Sequence, residues 1–165
     1  MKESRIRPAV SSDSVTIAGI YNHYIRESTI TFEEQEVAGA EMEARVTDVL
    51  ASGLPWLVLE DADGIAGYAY ANKWKVRAAY RHSVETTIYL GPTKTRLGYG
   101  RSLYEALLAV LREKPIHVVI GGVALPNAAS VALHERLGFV KVAHFKEVGF
   151  KFNQWIDVAY WQRAP

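Results

Sequence analysis

The sequence predicts one α+β domain. Asp63-Gly64 lies between two apolar runs of strand length, "WLVLE" and "IAGYAYA", which is a strong short-range hairpin signal. Two segments with apolar residues at near-helical spacing precede that hairpin. After it the order runs strand, helix, strand, helix, strand, strand. At 165 residues the chain can bury roughly 70% of the surface its unfolded form exposes. No repeat, low-complexity tract or linker divides residues 1–165.

Each element has its own local reason. A short strand is expected near Ile6. "SSDSVTIAGIYNHYIRES" then offers Ser and Asp caps followed by Val15, Ile17, Ile20, Tyr21, Tyr24 and Ile25, the stripe of a first helix. "GAEMEARVTDVLASG" repeats the pattern with Met42, Val46, Val49 and Leu50, and Gly53 supplies a C-terminal stop. The intervening "TITFEEQEV" is too polar and irregular to assign. In "VETTIYL", Val84, Thr86, Ile88 and Leu90 point one way while Glu85, Thr87 and Tyr89 point the other. Leu103, Leu107, Val110 and Leu111 form the buried stripe of the next helix. "IHVVIGGVAL" reads as a buried strand, and Pro126-Asn127 precedes a short helix, "AASVALHERL", closed by Gly138. "GFVKVAHF" and "WIDVAYWQ" are the last two strands.

Composition narrows the function. Nineteen basic against 18 acidic side chains leave a formal charge of +1, so there is no global field to gather nucleic acid or an anionic membrane, and any anion site must be local. A basic strip from Lys73 to Arg81 is the one local feature favouring nucleic acid. The chain has no cysteine, which removes disulfides, thiolate metal sites and a cysteine nucleophile together. Its five histidines show no ligand spacing, so no metal is expected. "MKESRIRPAV" lacks the apolar core of a signal peptide, and no apolar run reaches the ~20 residues of a membrane span. A cytoplasmic protein is expected.

"TKTRLGYGRSLYEALLAVL" carries the first chemical signal. First-turn N–H groups of a helix have no internal partner and so present an anion site with a favourable dipole. Gly98 and Gly100 let phosphates approach that backbone, and Arg96 and Arg101 add donors suited to phosphate oxygens. The same pattern also fits a plain loop-to-helix turn with solvated arginines. It is not a Walker loop, since no Gly-Lys-Ser/Thr follows, and it does not suit a dinucleotide fingerprint, since the hairpin before it is not a βαβ start.

"VETTIYL", "TRLGYG", the helix behind them and "LPNAASVALHERLGF" resemble the acetyl-CoA core of the GNAT N-acetyltransferase superfamily. "YNHYIRESTITF", "PWLVLE", "GYAYANKWKVRAAYRHSVETTIYL" and "GFKFNQWIDVAYWQ" bring the resemblance closer, to the phosphinothricin acetyltransferase group, which includes methionine sulfoximine and sulfone acetyltransferases. These segments span nearly the whole chain in order. The resemblance implies a GNAT fold, a mixed and mostly antiparallel sheet with helices on both faces. It also implies acetyl-CoA as cosubstrate, with its pyrophosphate on the turn from Arg96 through Leu97, Gly98, Tyr99 and Gly100 to Arg101. Thr95 stands where the family carries Gln or Arg, so Arg96 is expected to compensate. The pantetheine arm is expected to pair with Ile88, Tyr89 and Leu90, whose N–H groups would meet the oxyanion.

Acetyl transfer to an amine needs a neutral amine, a stabilised oxyanion and a proton for the departing thiolate. Glu85, on the strand before the turn, is the expected base. Alone it reads equally well as an exposed strand residue, and the resemblance, which implies a Val84-Glu85 pair in substrate binding and deprotonation, favours the catalytic role. His134 shares a helix face with Val131 and Leu137 and should point inward. By itself it is a satisfied core histidine, and by resemblance it is the acid or a proton relay. Asn127 reads as a helix N-cap; the resemblance adds a contact to CoA, with Ser130 a second candidate. Lys75, Arg77 and Arg81 form either a solvated basic loop or a carboxylate site. The resemblance implies that Lys75, Val76 and Arg77 line the substrate site, with Tyr80 and Phe32 as walls.

The expected activity is therefore acetylation of the α-amino group of phosphinothricin or of a methionine sulfoximine or sulfone. Another small amine or amino acid as acceptor, and a noncatalytic acetyl-CoA-sensing module, are the alternatives. The aromatic tail of Phe150, Phe152, Trp155, Tyr160 and Trp161 is rich enough to build an interface as well as a core. A homodimer is expected from the resemblance.

Overall fold

A computed structural model describes residues 4–165; Met1–Glu3, the start of the segment read above as lacking a leader, lie outside the described residues. Among the described residues the order is β1 (Arg5–Pro8), α1 (Ser14–Glu27), α2 (Gly39–Ala51), β2 (Trp56–Asp61), β3 (Gly64–Lys73), β4 (Ser83–Leu90), α3 (Tyr99–Arg112), β5 (Val118–Leu125), α4 (Ala128–Arg136), β6 (Val140–Lys151) and β7 (Gln154–Arg163). The expected elements are all present. No described helix is long and apolar enough to cross a membrane.

The strands form one seven-stranded sheet in the order β1-β2-β3-β4-β5-β7-β6. Every pairing is antiparallel except β4 with β5. That parallel pairing needs a crossover, which α3 supplies. Pairing between β4 and β5 runs only from Ser83 opposite Val118 to Thr86 opposite Gly121. Beyond it β4 keeps only β3 and β5 keeps only β7. The sheet is split at its centre.

Helices cover both faces. Leu103, Leu107 and Leu111 of α3 are fully buried, as expected, and Tyr104 and Leu108 join them, while Val110 is half-buried at the stripe's edge. They pack toward Val84 and Thr86. The other face carries aromatic rings. Trp56 and Tyr70 stand opposite one another on β2 and β3 with ring centroids 4.0 Å apart, and Tyr89 meets Tyr21 and Tyr24 of α1 at 5.3 and 5.1 Å. Such offset and edge contacts add about 0.5–1.5 kcal/mol per pair beyond area burial. Val15 and Leu50 depart from expectation and are exposed: Leu50 sits at the margin of its helix's apolar stripe, and Val15 lies on the side of α1 away from Ile17 and Ile20, with its side chain beside Gly39.

The irregular segment between α1 and α2 is tied down by side chains. Asn22 donates to the Val37 carbonyl and accepts from the Val37 N–H, at 2.9 and 2.8 Å. Lys151 Nζ donates to the Thr31 carbonyl at 2.9 Å, and the Phe32 ring lies directly over Gly149, where a Cβ would collide with it. This holds Ile30, Thr31 and Phe32 at the mouth of the split.

Candidate active site

The split opens into a cleft of about 700 Å³. Antiparallel alternation decides which backbone groups of β4 face it. The Gly91 N–H donates to the Ala66 carbonyl at 2.8 Å, and Tyr89 pairs with Tyr68, so the N–H groups of Tyr89 and Thr87 point to β3. Those of Ile88 and Leu90 then point into the split, where β5 no longer meets them. The Leu90 carbonyl is already taken by the Tyr24 hydroxyl at 2.5 Å. Of the three residues expected to meet the acyl arm, Ile88 and Leu90 offer free backbone donors, and Tyr89 offers only its ring.

The cleft passes through the sheet. Glu85, Thr87 and Tyr89 line it from the α1/α2 face, with Ile30, Thr31, Phe32, Val158 and Tyr160. Thr86, Ile88 and Leu90 line it from the other face, with Gly100, Asn127, Ser130 and His134. Adjacent glycines on β5 separate the two sides. A Cβ on Gly121 would run into the His134 ring, and one on Gly122 would come within 3.0 Å of Glu85 Oε1 and 2.9 Å of Tyr160. Glu85 and His134 thus reach the same split from opposite faces.

Burial tunes both groups. Desolvation raises the Glu85 carboxyl above its ordinary range, and the positive charge of Lys75 pulls partly the other way. His134 is 3% exposed; burial lowers its pKa, offset in part by the Ser130 carbonyl. Nδ1 lies 2.8 Å from that carbonyl, which can only accept, so the imidazole hydrogen sits on Nδ1. Nε2 then accepts from the Tyr104 hydroxyl at 3.1 Å, and Tyr104 lies 2.5 Å from Thr86 Oγ1. Burial pushes the Tyr104 hydroxyl up. The result is a buried hydrogen-bonded chain joining Thr86, Tyr104 and His134 and ending at the cleft, with the Thr86 hydroxyl also donating to the Ile120 carbonyl at 3.2 Å.

On the anion side, Gly98 adopts φ +83° as the N-cap of α3, and no side chain caps the helix. The preceding Arg96, at φ +62°, lines the cleft with Thr95 and is in no ion pair among the described residues. Asn127 is the N-cap of α4, accepting from the Ser130 N–H at 3.1 Å, and it also lines the cleft. No group of three or more potential metal ligands occurs among the described residues.

Several expected site residues lie elsewhere. Val84 is 1% exposed in the core, because strand alternation turns it opposite to Glu85. Arg101 points to solvent and pairs with Glu105 one turn on, at 2.8 Å. The Tyr99 ring is buried and its hydroxyl donates to Asp61, so only its backbone is available to a ligand. Leu97 is exposed. Lys75, Val76, Arg77 and Tyr80 sit on the exposed segment between β3 and β4 rather than against the cleft; the Lys75 ammonium lies 4.9 Å above the Trp74 ring. Sequence reasoning missed Tyr104, Tyr160, Gly121 and Gly122. The paired glycines inside a buried strand were a readable mark of close approach.

Comparison with known proteins agrees with this architecture. A family model described as an acetyltransferase (GNAT) domain matches residues 6–160. The chain belongs to the GNAT acetyltransferase family. A phosphinothricin N-acetyltransferase of Streptomyces viridochromogenes is 39% identical over 160 residues, covering 96% of this chain and 86% of the relative. An L-methionine sulfoximine/L-methionine sulfone acetyltransferase of Salmonella typhimurium is 32% identical, covering 95% and 92%. Among solved GNAT structures, a phosphinothricin acetyltransferase of Sinorhizobium meliloti in complex with AcCoA superposes with a TM-score of 0.94 at 34% identity, covering 98% of this chain and 88% of that one.

Proposed function

We propose that the chain transfers the acetyl group of acetyl-CoA to the α-amino group of phosphinothricin or of a methionine sulfoximine or sulfone. The observation that carries this reading is the split between β4 and β5, with Glu85 entering from one face and His134 from the other. A thioester and an amine can meet there from opposite sides. The names of the relatives support the acceptor class.

Acetyl-CoA enters along the α3/α4 face, its pyrophosphate over the uncapped N-terminus of α3 and Arg96, its arm beside the free N–H groups of Ile88 and Leu90. The acceptor lies on the α1/α2 face among Phe32, Glu85 and Tyr160. An amino acid's ammonium must lose a proton before it can attack, and Glu85, raised by burial, takes it directly or through water. The C–N bond forms as the thioester carbonyl oxygen becomes an oxyanion held by the strand's N–H groups, and the C–S bond then breaks. The departing thiolate takes up one proton, supplied from solvent, to leave as the CoA thiol, and His134 is the titratable side chain on that face of the cleft, as acid or proton relay. Its Nδ1–H is held by the Ser130 carbonyl and its Nε2 by the Tyr104 hydroxyl, and these contacts orient the ring. Among the described residues no basic side chain lines the acceptor's half of the cleft, and Lys75 and Arg77 would reach the acceptor's carboxylate by movement of their segment.

We further propose a homodimer. Strand β6 is a sheet edge bearing exposed Val148 and Phe150, and Trp155 next to it on β7 is 65% exposed, an apolar edge that a second copy would cover.

Release of free CoA thiol tests the activity, and with no cysteine in the chain the protein adds no thiol background. Turnover confined to phosphinothricin and the sulfur analogues is expected across a panel that also holds ordinary amino acids and a polyamine. Turnover only with the other amines would discard the acceptor, and acetyl-CoA binding without any turnover would leave a sensing module.

A further inference from the structure

The turn that precedes α3 is fastened at both shoulders to one carboxylate from a distant hairpin. Lys94 Nζ lies 2.8 Å from Asp61 Oδ2. The Tyr99 hydroxyl, five residues further on, donates to the same oxygen at 3.2 Å. Asp61 is itself aimed by the turn between β2 and β3, accepting from the Asp63 N–H through its other oxygen at 2.9 Å. Asp63 adds a second contact to Lys94 at 2.6 Å. The Lys94 stem lies over Gly91, with its Cγ 3.4 Å from where a Cβ would stand. Only Thr95 to Gly98 is left between the fastened points, and that stretch holds both positive-φ residues of the turn, Arg96 and Gly98.

The Asp61 side chain is 1% exposed. A carboxylate so placed persists only where it is paired and hydrogen-bonded, and here its partners come entirely from its own hairpin turn and from the two shoulders of the α3 turn. Lys94 holds its carboxyl below the usual range, with the Asp63 N–H adding to the effect. The arrangement also takes Lys94 out of service as a phosphate ligand, since its ammonium is spent on two aspartates.

We propose that Asp61 is a positioning residue for the pyrophosphate turn, holding Lys94 and Tyr99 so that Arg96, Gly98 and the first N–H groups of α3 are set before acetyl-CoA arrives. The inference rests on the reading of that turn as the pyrophosphate site. Preorganised donors bind without the cost of ordering the loop first. Releasing the clamp therefore weakens the grip on the nucleotide end of the cosubstrate and leaves the acyl end and the acceptor untouched.

The test compares Asp61→Asn, Lys94→Met and Tyr99→Phe with two acetyl donors, acetyl-CoA and acetyl-pantetheine, which has no pyrophosphate. Thermal melting of each variant checks that it is folded. Asp61→Asn is expected to raise KM for acetyl-CoA about tenfold, equivalent to about 1.4 kcal/mol, with kcat and both the acceptor and acetyl-pantetheine KM values within about twofold of the parent. The Asp61→Asn/Lys94→Met double variant is expected to lose little more than Asp61→Asn alone, because the two residues act as one unit. Equal losses with both donors in a folded variant, or no loss with either, would overturn the clamp. Gly98→Val and Arg96→Ala separate the two ideas. If they impair acetyl-CoA and Asp61→Asn does not, the clamp fails and the site stands, and if they too leave acetyl-CoA unaffected, the pyrophosphate reading fails and takes the clamp with it.

Discussion

Gly121 and Gly122 are neighbours on one strand, so replacing each with alanine adds the same methyl group to opposite faces of the sheet. At Gly121 the new Cβ meets the His134 ring, including Cδ2 at 2.7 Å, and that ring is wedged between Tyr104 and Phe139 with centroids 5.3 and 5.1 Å away. These two rings limit how far the imidazole can yield. Overpacking of this kind costs about 1–3 kcal/mol, which for a chain of this size lowers Tm by about 2–12 °C. At Gly122 the nearest atoms are the edge of the Tyr160 ring at 2.9 Å and Glu85 Oε1 at 3.0 Å, both at the ends of side chains that line open cleft. Stability should change by less than about 1 kcal/mol. The carboxylate, however, is pushed from its position, and a displacement near 1 Å at a reacting group costs about 100-fold. Calorimetry and CoA thiol release, run on both variants, give the comparison. Gly122→Ala melting with the parent while losing about two orders of magnitude in kcat/KM for the acceptor, and Gly121→Ala melting low, is the expected pattern. Equal melting and equal kinetics in the two variants would refute the two-faced cleft.

Glu85→Gln should abolish most turnover and yet raise Tm near neutral pH. The Glu85 pKa is raised on folding, so its contribution to stability is present below the unfolded carboxyl pKa and is lost as pH rises through the folded value; removing the charge recovers it, and an unchanged Tm would count against its burial. Lys75→Met should move the acid limb of kcat/KM to higher pH, because the charge that lowers the Glu85 pKa is gone, and a limb that stays put would detach Lys75 from the site. Tyr104→Phe should lower kcat more than it raises KM for acetyl-CoA, at a stability cost of about 1–3 kcal/mol for leaving Nε2 without its donor; equal changes in both constants would make Tyr104 merely structural. Trp155→Glu should convert a dimer to monomers in light scattering, and a parent that is already monomeric would remove the proposed second copy.

Much of the fold was legible because its signals are local. Asp63-Gly64 marks the β2–β3 turn, and the leucines of α3 fall on one helical face with every turn. The inward aim of His134 followed from its spacing to Leu137. The pairing of Arg101 with Glu105 was also available as an i,i+4 contact, although phosphate chemistry claimed the arginine first. What remained hidden is long-range. Nothing between Ser83 and Leu90 says that β5 will leave β4 after Thr86, since the separation depends on where β7 draws β5. Tyr104 read as one more apolar position on α3 until its hydroxyl came between Thr86 and His134. Asp61 and Lys94 are 33 residues apart, and no periodicity connects them.

The split lets one strand carry much of the proposed chemistry. Up to Thr86, β4 is an interior strand with hydrogen-bonded neighbours on both sides, which fixes Glu85 on a rigid scaffold. From Thr87 onward it is an edge toward the cleft, and edges offer unpaired backbone groups that a linear ligand can complete. The change occurs within two residues. In the proposed reaction, binding of the acyl arm and deprotonation of the acceptor share one backbone, so a thioester oxygen at the Ile88 N–H and an amine at Glu85 would be registered by strand geometry rather than by a flexible loop. Alternation along that same strand puts Glu85 and the residues facing His134 on opposite faces, so in the proposed reaction each reactant would enter by its own route and meet the other only where the sheet is open.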